Sequence, residues 1–142
     1  MKNILLLFIF FFVYGWNVFA EKTFVFIGSY NFDKTKEGIY VYELNTITGN
    51  LSKVTSAKDV LNPGYLLLSQ NGTFLYSCTD AKTPKAGSVS SYKFNTSEKS
   101  LTFINSRQTG GENPVYVSLS KSENYLLSAN YTDGSVTVYP IQ

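Results

Sequence analysis

The chain has 142 residues, of which 44% are hydrophobic and 15% charged, and this composition is typical of a folded domain, not of a disordered, collagen-like or coiled-coil chain. Twelve Lys and Arg against ten Asp and Glu leave a formal net charge of +2, so no basic patch for nucleic acid is expected. Because the sequence has no His and a single Cys, it excludes a His-bearing zinc site, an intrachain disulfide and a catalytic triad whose imidazole comes from this chain.

The first twenty residues have the pattern of an export signal. Lys2 precedes an apolar run from Ile4 to Tyr14, and Val18-Phe19-Ala20 places small or β-branched residues where a signal peptidase cuts. We therefore predict a signal peptide over residues 1–20, a mature chain over 21–142, a secreted or periplasmic location, and no stable membrane insertion after cleavage. A retained anchor helix is the alternative, although the run up to Ala20 falls short of the roughly twenty residues that a membrane span needs.

The mature chain has the pattern of an all-β protein. Short alternating or β-branched and aromatic runs recur between Gly, Asn, Asp and Pro, and no helical period is sustained. The predicted strands, in chain order, are Thr23–Ser29, Gly38–Asn45, Leu51–Ser56, Gly64–Ser69, Phe74–Thr79, Ser88–Asn95, Leu101–Gln108, Val115–Ser120, Tyr125–Asn130 and Ser135–Tyr139. Most of them carry apolar residues on both faces, as expected where sheets stack face to face.

An internal repeat indicates how these strands are grouped. Asn62-Pro63-Gly64-Tyr65-Leu66 matches Asn113-Pro114-Val115-Tyr116-Val117 at an offset of 51 residues. Tyr42-Glu43-Leu44-Asn45-Thr46 matches Tyr92-Lys93-Phe94-Asn95-Thr96 at an offset of 50. Repeats of about forty to fifty residues with four strands each are typical of β-propeller blades.

The strands divide into units of three, four and three, or about two and a half blades. If the strands of a blade are lettered a to d from the axis outward, the first unit lacks strand a and the third lacks strand d. Because propellers close with about four to eight blades, we expect the remaining blades to come from the rest of a longer chain. A self-sufficient ten-stranded barrel or sandwich is the alternative, but it does not explain these incomplete units.

Several short segments resemble one family. They are Ile27-Gly28-Ser29-Tyr30, Gly38-Ile39-Tyr40-Val41-Tyr42, Asn62-Pro63-Gly64-Tyr65-Leu66, Gly111-Glu112-Asn113-Pro114-Val115-Tyr116-Val117-Ser118, Tyr125-Leu126-Leu127-Ser128-Ala129-Asn130-Tyr131 and Gly134-Ser135-Val136-Thr137-Val138-Tyr139-Pro140. Over residues 23–142 the chain resembles the opening blades of the seven-bladed propeller lactonases, which include bacterial 6-phosphogluconolactonases and relatives of the muconate-lactonising cyclase. The resemblance implies seven blades and hydrolysis of a lactone without metal or cofactor.

The candidate substrate-binding residues lie where the resemblance places the central channel. Hydrolysis of a lactone needs a held water, a group that takes its proton, and donors for the developing oxyanion. Glu112, Asn113 and Tyr116 form the most concentrated polar group near the expected axis, and Asn130 is a further candidate for the channel wall. We assign no catalytic residue, because many family members carry His where Tyr116 stands and a phenol is a poor base at neutral pH.

These features support two hypotheses of different classes. The first is an exported lactonase-like propeller whose small-molecule partner is a sugar-acid lactone. Phosphorylated pentose-pathway intermediates are cytosolic, so an exported member is expected to meet a different lactone, and the 142-residue chain alone is expected to be inactive. The second is a non-catalytic exported propeller that binds a protein or glycan, and an inactive truncated product is a further alternative.

Overall fold

The computed structural model describes residues 22–79 and 87–142, and all regular structure within them is β-strand. The strands are β1 Thr23–Gly28, β2 Ile39–Leu44, β3 Leu51–Ala57, β4 Pro63–Leu68, β5 Phe74–Thr79, β6 Ser88–Asn95, β7 Ser100–Gln108, β8 Pro114–Leu119, β9 Tyr125–Asn130 and β10 Ser135–Pro140. Every predicted strand is present, and its ends fall within one residue of the prediction. The predicted signal peptide, residues 1–20, lies outside the described residues.

The strands form three separate antiparallel sheets. The first sheet has the order β1-β2-β3, the middle sheet β4-β5-β6-β7, and the third sheet β8-β9-β10. The prediction of units with three, four and three strands is therefore confirmed, and the ten strands do not form one barrel. This arrangement is a partial β-propeller.

The turns between strands repeat as the strands do. The Asn45 side chain accepts hydrogen bonds from the backbone N–H of Ile47 and of Thr48, both at 3.0 Å. Fifty residues later, Asn95 accepts from the N–H of Ser97 at 3.0 Å and of Glu98 at 3.1 Å. A side chain that satisfies the backbone of the following turn explains why Asn occurs at both positions.

The middle sheet is buried on both faces. Successive side chains of a strand point to opposite faces, so Leu75 packs against the first sheet while its neighbour Tyr76 packs against the third. The core between the first and middle sheets consists of Ile39, Ala57, Val60, Leu75 and Tyr92. The core between the middle and third sheets consists of Tyr76, Cys78, Val89, Val117 and Leu126.

Glycine is required at two positions where the structure is closely packed. A Cβ atom on Gly28 would lie 2.2 Å from the backbone oxygen of Pro63, at the contact of β1 with β4. A Cβ atom on Gly111 would lie 2.3 Å from Nδ2 of Asn130. Both distances are far below van der Waals contact, so Gly28 can lie against the Pro63 backbone, and Gly111 against the Asn130 side chain, only because glycine has no side chain.

The middle and third sheets are less tightly packed at their outer strands, β7 and β10. A cleft of about 500 Å³ lies between β7 and β10, and its lining includes Ile104, Arg107, Tyr139 and Ile141. None of the predicted site residues lines this cleft.

Within residues 22–79 and 87–142, the structure contains no helix long and apolar enough to cross a membrane.

Candidate functional site

Both inner strands, β4 and β8, begin with the same local structure. Asn62 and Asn113 adopt left-handed backbone conformations, with φ of 41° and 58°, and each precedes a proline. Asn adopts this conformation at lower cost than most other residues. The repeated Asn-Pro pair therefore marks a sharp, well-defined entry into each inner strand.

A β-bulge follows the proline in each inner strand. The pairing of β4 with β5 shifts register between Pro63 and Tyr65, and the pairing of β8 with β9 shifts between Pro114 and Tyr116. Bulges leave one residue unpaired and change the direction of the neighbouring side chains. The same β-bulge therefore sets the position of Tyr65 in one blade and of Tyr116 in the next.

The two tyrosine side chains contact each other across the sheets. The ring centroids of Tyr65 and Tyr116 are 4.7 Å apart and the rings are tilted by 56°. A side-chain hydrogen bond with Tyr116 and, to a smaller extent, partial burial raise the pKa of Tyr65 above its ordinary value of 10.0. Tyr116 is 48% exposed, so its ring remains accessible at the edge strand.

Glu112 and Asn113 lie in the turn that leads into β8, and both are half-buried. The backbone oxygen of Asn113 accepts a hydrogen bond from Tyr131 N–H at 2.9 Å, and that of Glu112 accepts from Thr132 N–H at 3.3 Å. These bonds fasten the turn before β8 to the turn between β9 and β10. Glu112 and Asn113 therefore lie in one fixed turn just before the strand that carries Tyr116, and the role of these three residues in substrate binding stays a prediction.

Asp133 is a carboxylate that the sequence analysis did not select. Desolvation opposes its ionisation, but hydrogen bonds from the Ser135 hydroxyl and the Glu112 backbone outweigh it, so the pKa of Asp133 lies below 3.8. The carboxylate is thus held charged beside the backbone of Glu112. Asp133-Gly134 has the sequence of an ordinary turn, so only the fold reveals this proximity.

Asn130 lies in a different environment from the other three candidates. It is 3% exposed, and its amide nitrogen donates hydrogen bonds to Ser135 Oγ at 2.9 Å and Thr137 Oγ1 at 3.4 Å. Gly111 packs directly against the Asn130 side chain, since an added Cβ atom on Gly111 would lie 2.3 Å from Nδ2 of Asn130. In this arrangement Asn130 supports the turn, and its contact with a ligand in the channel stays a prediction.

The side chains of this site could bind and polarise an oxygen-rich ligand. A carboxylate can take a proton from water, and a phenol can donate a hydrogen bond to a carbonyl oxygen. Across the part of the chain that the structure describes, no three His, Cys, Asp or Glu side chains are placed to hold a metal ion.

Successive four-stranded antiparallel units, each packed face to face on the next, define a β-propeller. The family model described as lactonase, 7-bladed beta-propeller, matches residues 24–142, so the chain belongs to this family of propeller lactonases. This confirms the family that the sequence resembles.

Named relatives agree with this assignment. Over 117 residues the chain is 35% identical to the 6-phosphogluconolactonase of Bacillus subtilis and 31% identical to that of Formosa agariphila, covering 82% of this chain and 33% of each relative. The structure of the periplasmic gluconolactonase of Pseudomonas aeruginosa superimposes with a TM-score of 0.70 and 28% identity, over 84% of this chain and 35% of that one. The chain therefore spans about a third of the length of these relatives.

Proposed function

We propose that this chain forms the first blades of an exported propeller lactonase that hydrolyses a sugar-acid lactone. The observation that carries this proposal is the family match over residues 24–142, which includes the segment from Glu112 to Tyr116 at the start of an inner strand. Two relatives are named 6-phosphogluconolactonase, and a third is named a gluconolactonase. A ring-shaped ester of a polyhydroxy acid is the substrate class common to these names.

Export is supported by the first twenty residues and by one relative. Lys2 and the apolar run that follows have the composition of a signal peptide. The Pseudomonas aeruginosa protein, which is similar to this chain over most of its described length, is named a periplasmic enzyme. An exported enzyme meets lactones outside the cytosol, so an unphosphorylated sugar lactone fits this location better than a phosphorylated intermediate.

In the proposed reaction, water attacks the lactone carbonyl carbon and the bond from that carbon to the ring oxygen breaks. The Glu112 carboxylate accepts the proton of the attacking water, and this proton passes to the departing ring oxygen. The Tyr116 hydroxyl donates a hydrogen bond to the carbonyl oxygen as negative charge develops on it. The Asn113 amide binds a hydroxyl group of the sugar acid.

A second candidate is a non-catalytic propeller that binds a sugar acid or a glycan in the same channel. The observation that favours it is the absence of His from the 142 residues, so that Tyr116 stands where the resemblance to the family leads us to expect His. A phenol at this place can bind a carbonyl oxygen but is a poor proton acceptor at pH 7.

The test is a pH-stat assay of the full-length protein with δ-gluconolactone and with its 6-phosphate. We expect acid release from δ-gluconolactone, and we expect Glu112→Gln to lower kcat about a hundredfold or more, because it removes the group that accepts the proton. Glu98→Gln is the matched control, since Glu98 lies in the turn between β6 and β7, away from the inner strands.

One result would contradict the enzymatic proposal, and another would contradict the role of Glu112 within it. If the full-length protein binds gluconate but releases no acid from either lactone, the second candidate is correct. If Glu112→Gln and Glu98→Gln are equally active, the lactonase uses a different carboxylate.

A further inference from the structure

The side-chain amide of Asn130 has two polar atoms, and only one of them is satisfied. The nitrogen, Nδ2, donates hydrogen bonds to Ser135 Oγ at 2.9 Å and to Thr137 Oγ1 at 3.4 Å. Within the part of the chain that the structure describes, no donor lies within hydrogen-bond distance of the oxygen, Oδ1, although Asn130 is only 3% exposed. A buried acceptor without a donor is rare in folded proteins, because it has given up its hydrogen bonds to water.

The neighbouring hydroxyl groups fix which end of this amide is which. The Ser135 hydroxyl donates its proton to the Asp133 carboxylate at 3.0 Å. The Thr137 hydroxyl donates its proton to the Thr109 backbone oxygen. Because each hydroxyl has a single proton, both can only accept from Asn130, and the two hydrogens of Nδ2 match these two acceptors. Turning the amide over would lose both hydrogen bonds, so Oδ1 is the atom left without a donor.

A second polar atom without a partner lies two residues earlier on β9. Ser128 is 0% exposed, and its hydroxyl oxygen has no hydrogen-bond partner among residues 22–79 and 87–142. Side chains two residues apart lie on the same face of a strand, and Leu126, a further two residues back, packs in the core between the middle and third sheets. Ser128 and Asn130 therefore both face the middle sheet, so the two unsatisfied atoms lie in one interface.

We propose that Ser128 and Asn130 form a buried binding site for a single water molecule between the middle and third sheets. The water donates one hydrogen to Asn130 Oδ1 and makes a second hydrogen bond with the Ser128 hydroxyl. Residues two apart on a strand are separated by about 7 Å, a distance that suits one bridging molecule. Internal waters usually have two to four polar partners.

The chemistry of the site favours water over a metal ion. Both oxygen atoms are neutral, whereas a hard cation such as Ca²⁺ takes roughly six to eight oxygen ligands and commonly includes carboxylates among them. A water molecule can donate to Oδ1, which a cation cannot replace as a hydrogen-bond donor. The ligand class assigned to this site is therefore a neutral molecule that donates hydrogen bonds.

This water is distinct from the one that attacks a lactone in the proposed function. The burial of Ser128 and Asn130 closes the site to a substrate, and Gly111 packs directly against the Asn130 side chain. The inference therefore does not depend on lactonase activity. The role of the bound water is to satisfy the polar atoms that β9 buries between two blades.

The preceding interface supplies a matched comparison. At an offset of 51 residues, Ser77 and Thr79 stand where the third sheet has Ser128 and Asn130. Ser77 is also 0% exposed, but its hydroxyl donates a hydrogen bond to the Cys78 backbone oxygen at 3.4 Å. The two serines are therefore equally buried, and only Ser128 is a partner of the proposed water.

The first test is a crystal structure of the full-length protein at a resolution that shows ordered waters, from crystals grown in rubidium chloride. We expect a density peak within about 3.2 Å of both Asn130 Oδ1 and Ser128 Oγ, without anomalous signal at the rubidium absorption edge. An anomalous peak would identify a cation site and overturn the proposal. A direct hydrogen bond between the two side chains, or another side chain in this place, would also overturn it.

The second test compares Ser128→Ala with Ser77→Ala in the full-length protein. We expect the peak to be lost in Ser128→Ala and kept in Ser77→Ala. We also expect Ser128→Ala to lower the urea midpoint more, because it leaves Asn130 Oδ1 buried without a donor. A peak that persists in Ser128→Ala, or equal shifts of the midpoint, would overturn the proposal. If Ser128→Ala does not fold, the crystal structure of the unmodified protein still decides whether the water is present.

Discussion

The middle and third sheets carry the same sequence repeat, but they differ in what covers them. In the middle sheet, Leu75 is 0% exposed and contacts the first sheet, while Tyr76 is 7% exposed and contacts the third. In the third sheet, Thr137 of β10 donates a hydrogen bond to the backbone oxygen of Thr109, the residue that follows β7 of the middle sheet. Its neighbours Val136 and Val138, on the opposite face, are 63% and 54% exposed.

This difference shows that a blade depends on its neighbours for its core. The strands of both sheets form from the same local patterns, yet only the sheet with a neighbour on each face buries both sets of apolar side chains. In repeat proteins, stability is approximately the sum of the units and of the interfaces between them. We therefore expect a substitution of an apolar residue in the middle sheet to lower the free energy of unfolding more than one on the exposed face of the third sheet.

The largest expected effect is the difference between a substitution in the middle sheet and one in the third sheet. Leu75→Ala is expected to lower the free energy of unfolding by about 2–5 kcal/mol, because it leaves a cavity in a core with no solvent access. Val136→Ala is expected to stay within about 0.5 kcal/mol, since its side chain is mainly exposed. Urea denaturation of the 142-residue chain measures both; similar losses would show that a further contact covers β10 in solution.

A smaller effect is expected where the first and middle sheets meet. Gly28→Ala places a methyl group against the Pro63 carbonyl and should cost about 1–3 kcal/mol through forced movement of the backbone. Gly64→Ala is the matched control, because its added Cβ would lie 3.8 Å from the nearest atom, the backbone oxygen of Asn62. Thermal melting compares the two, and equal melting temperatures would contradict the close packing of these sheets.

The smallest effect concerns a surface contact between the first and middle sheets. Lys99 Nζ lies 2.6 Å from a Glu43 carboxylate oxygen, and this hydrogen bond lowers the pKa of Glu43 below 4.5. Because the folded-state pKa is depressed, the contribution is present above pH 4.5 and is lost as the pH falls through the folded-state value. Glu43→Gln should therefore lower the urea midpoint slightly at pH 7 and not at pH 2.

The control for this contact is Glu98→Gln, one residue from Lys99 in the same turn. The Glu98 carboxylate accepts a hydrogen bond at 3.4 Å from Ser100, within its own turn. If both variants change the midpoint equally at pH 7, the effect reflects net charge and not the contact between sheets.

The strand pattern could be predicted from the sequence because its causes are local. Alternation of side chains and turn residues such as Asn45 and Asn95 act within a few residues, and the 51-residue offset between Asn62 and Asn113 grouped the strands into blades. The close approach at Gly28 could not be predicted, because it depends on which sheet lies opposite β1.

The site was predictable only in part for the same reason. Glu112, Asn113 and Tyr116 are near one another in sequence, so their proximity follows from one turn and one strand start. The burial of Asn130, the position of Asp133 and the Tyr65–Tyr116 contact depend on how β8 and β9 pack on the middle sheet. The repeat marked Tyr65 and Tyr116 as equivalent, but only the packed sheets place their rings in contact.

The core between the middle and third sheets also contains the sole thiol of the sequence. Cys78 is 0% exposed and lies beside the backbone oxygen of Tyr65. A thiol reagent can reach it only when these sheets separate or the chain unfolds. The rate at which a reagent modifies Cys78 therefore reports how readily the interface between the middle and third sheets opens. This measurement needs no engineered label.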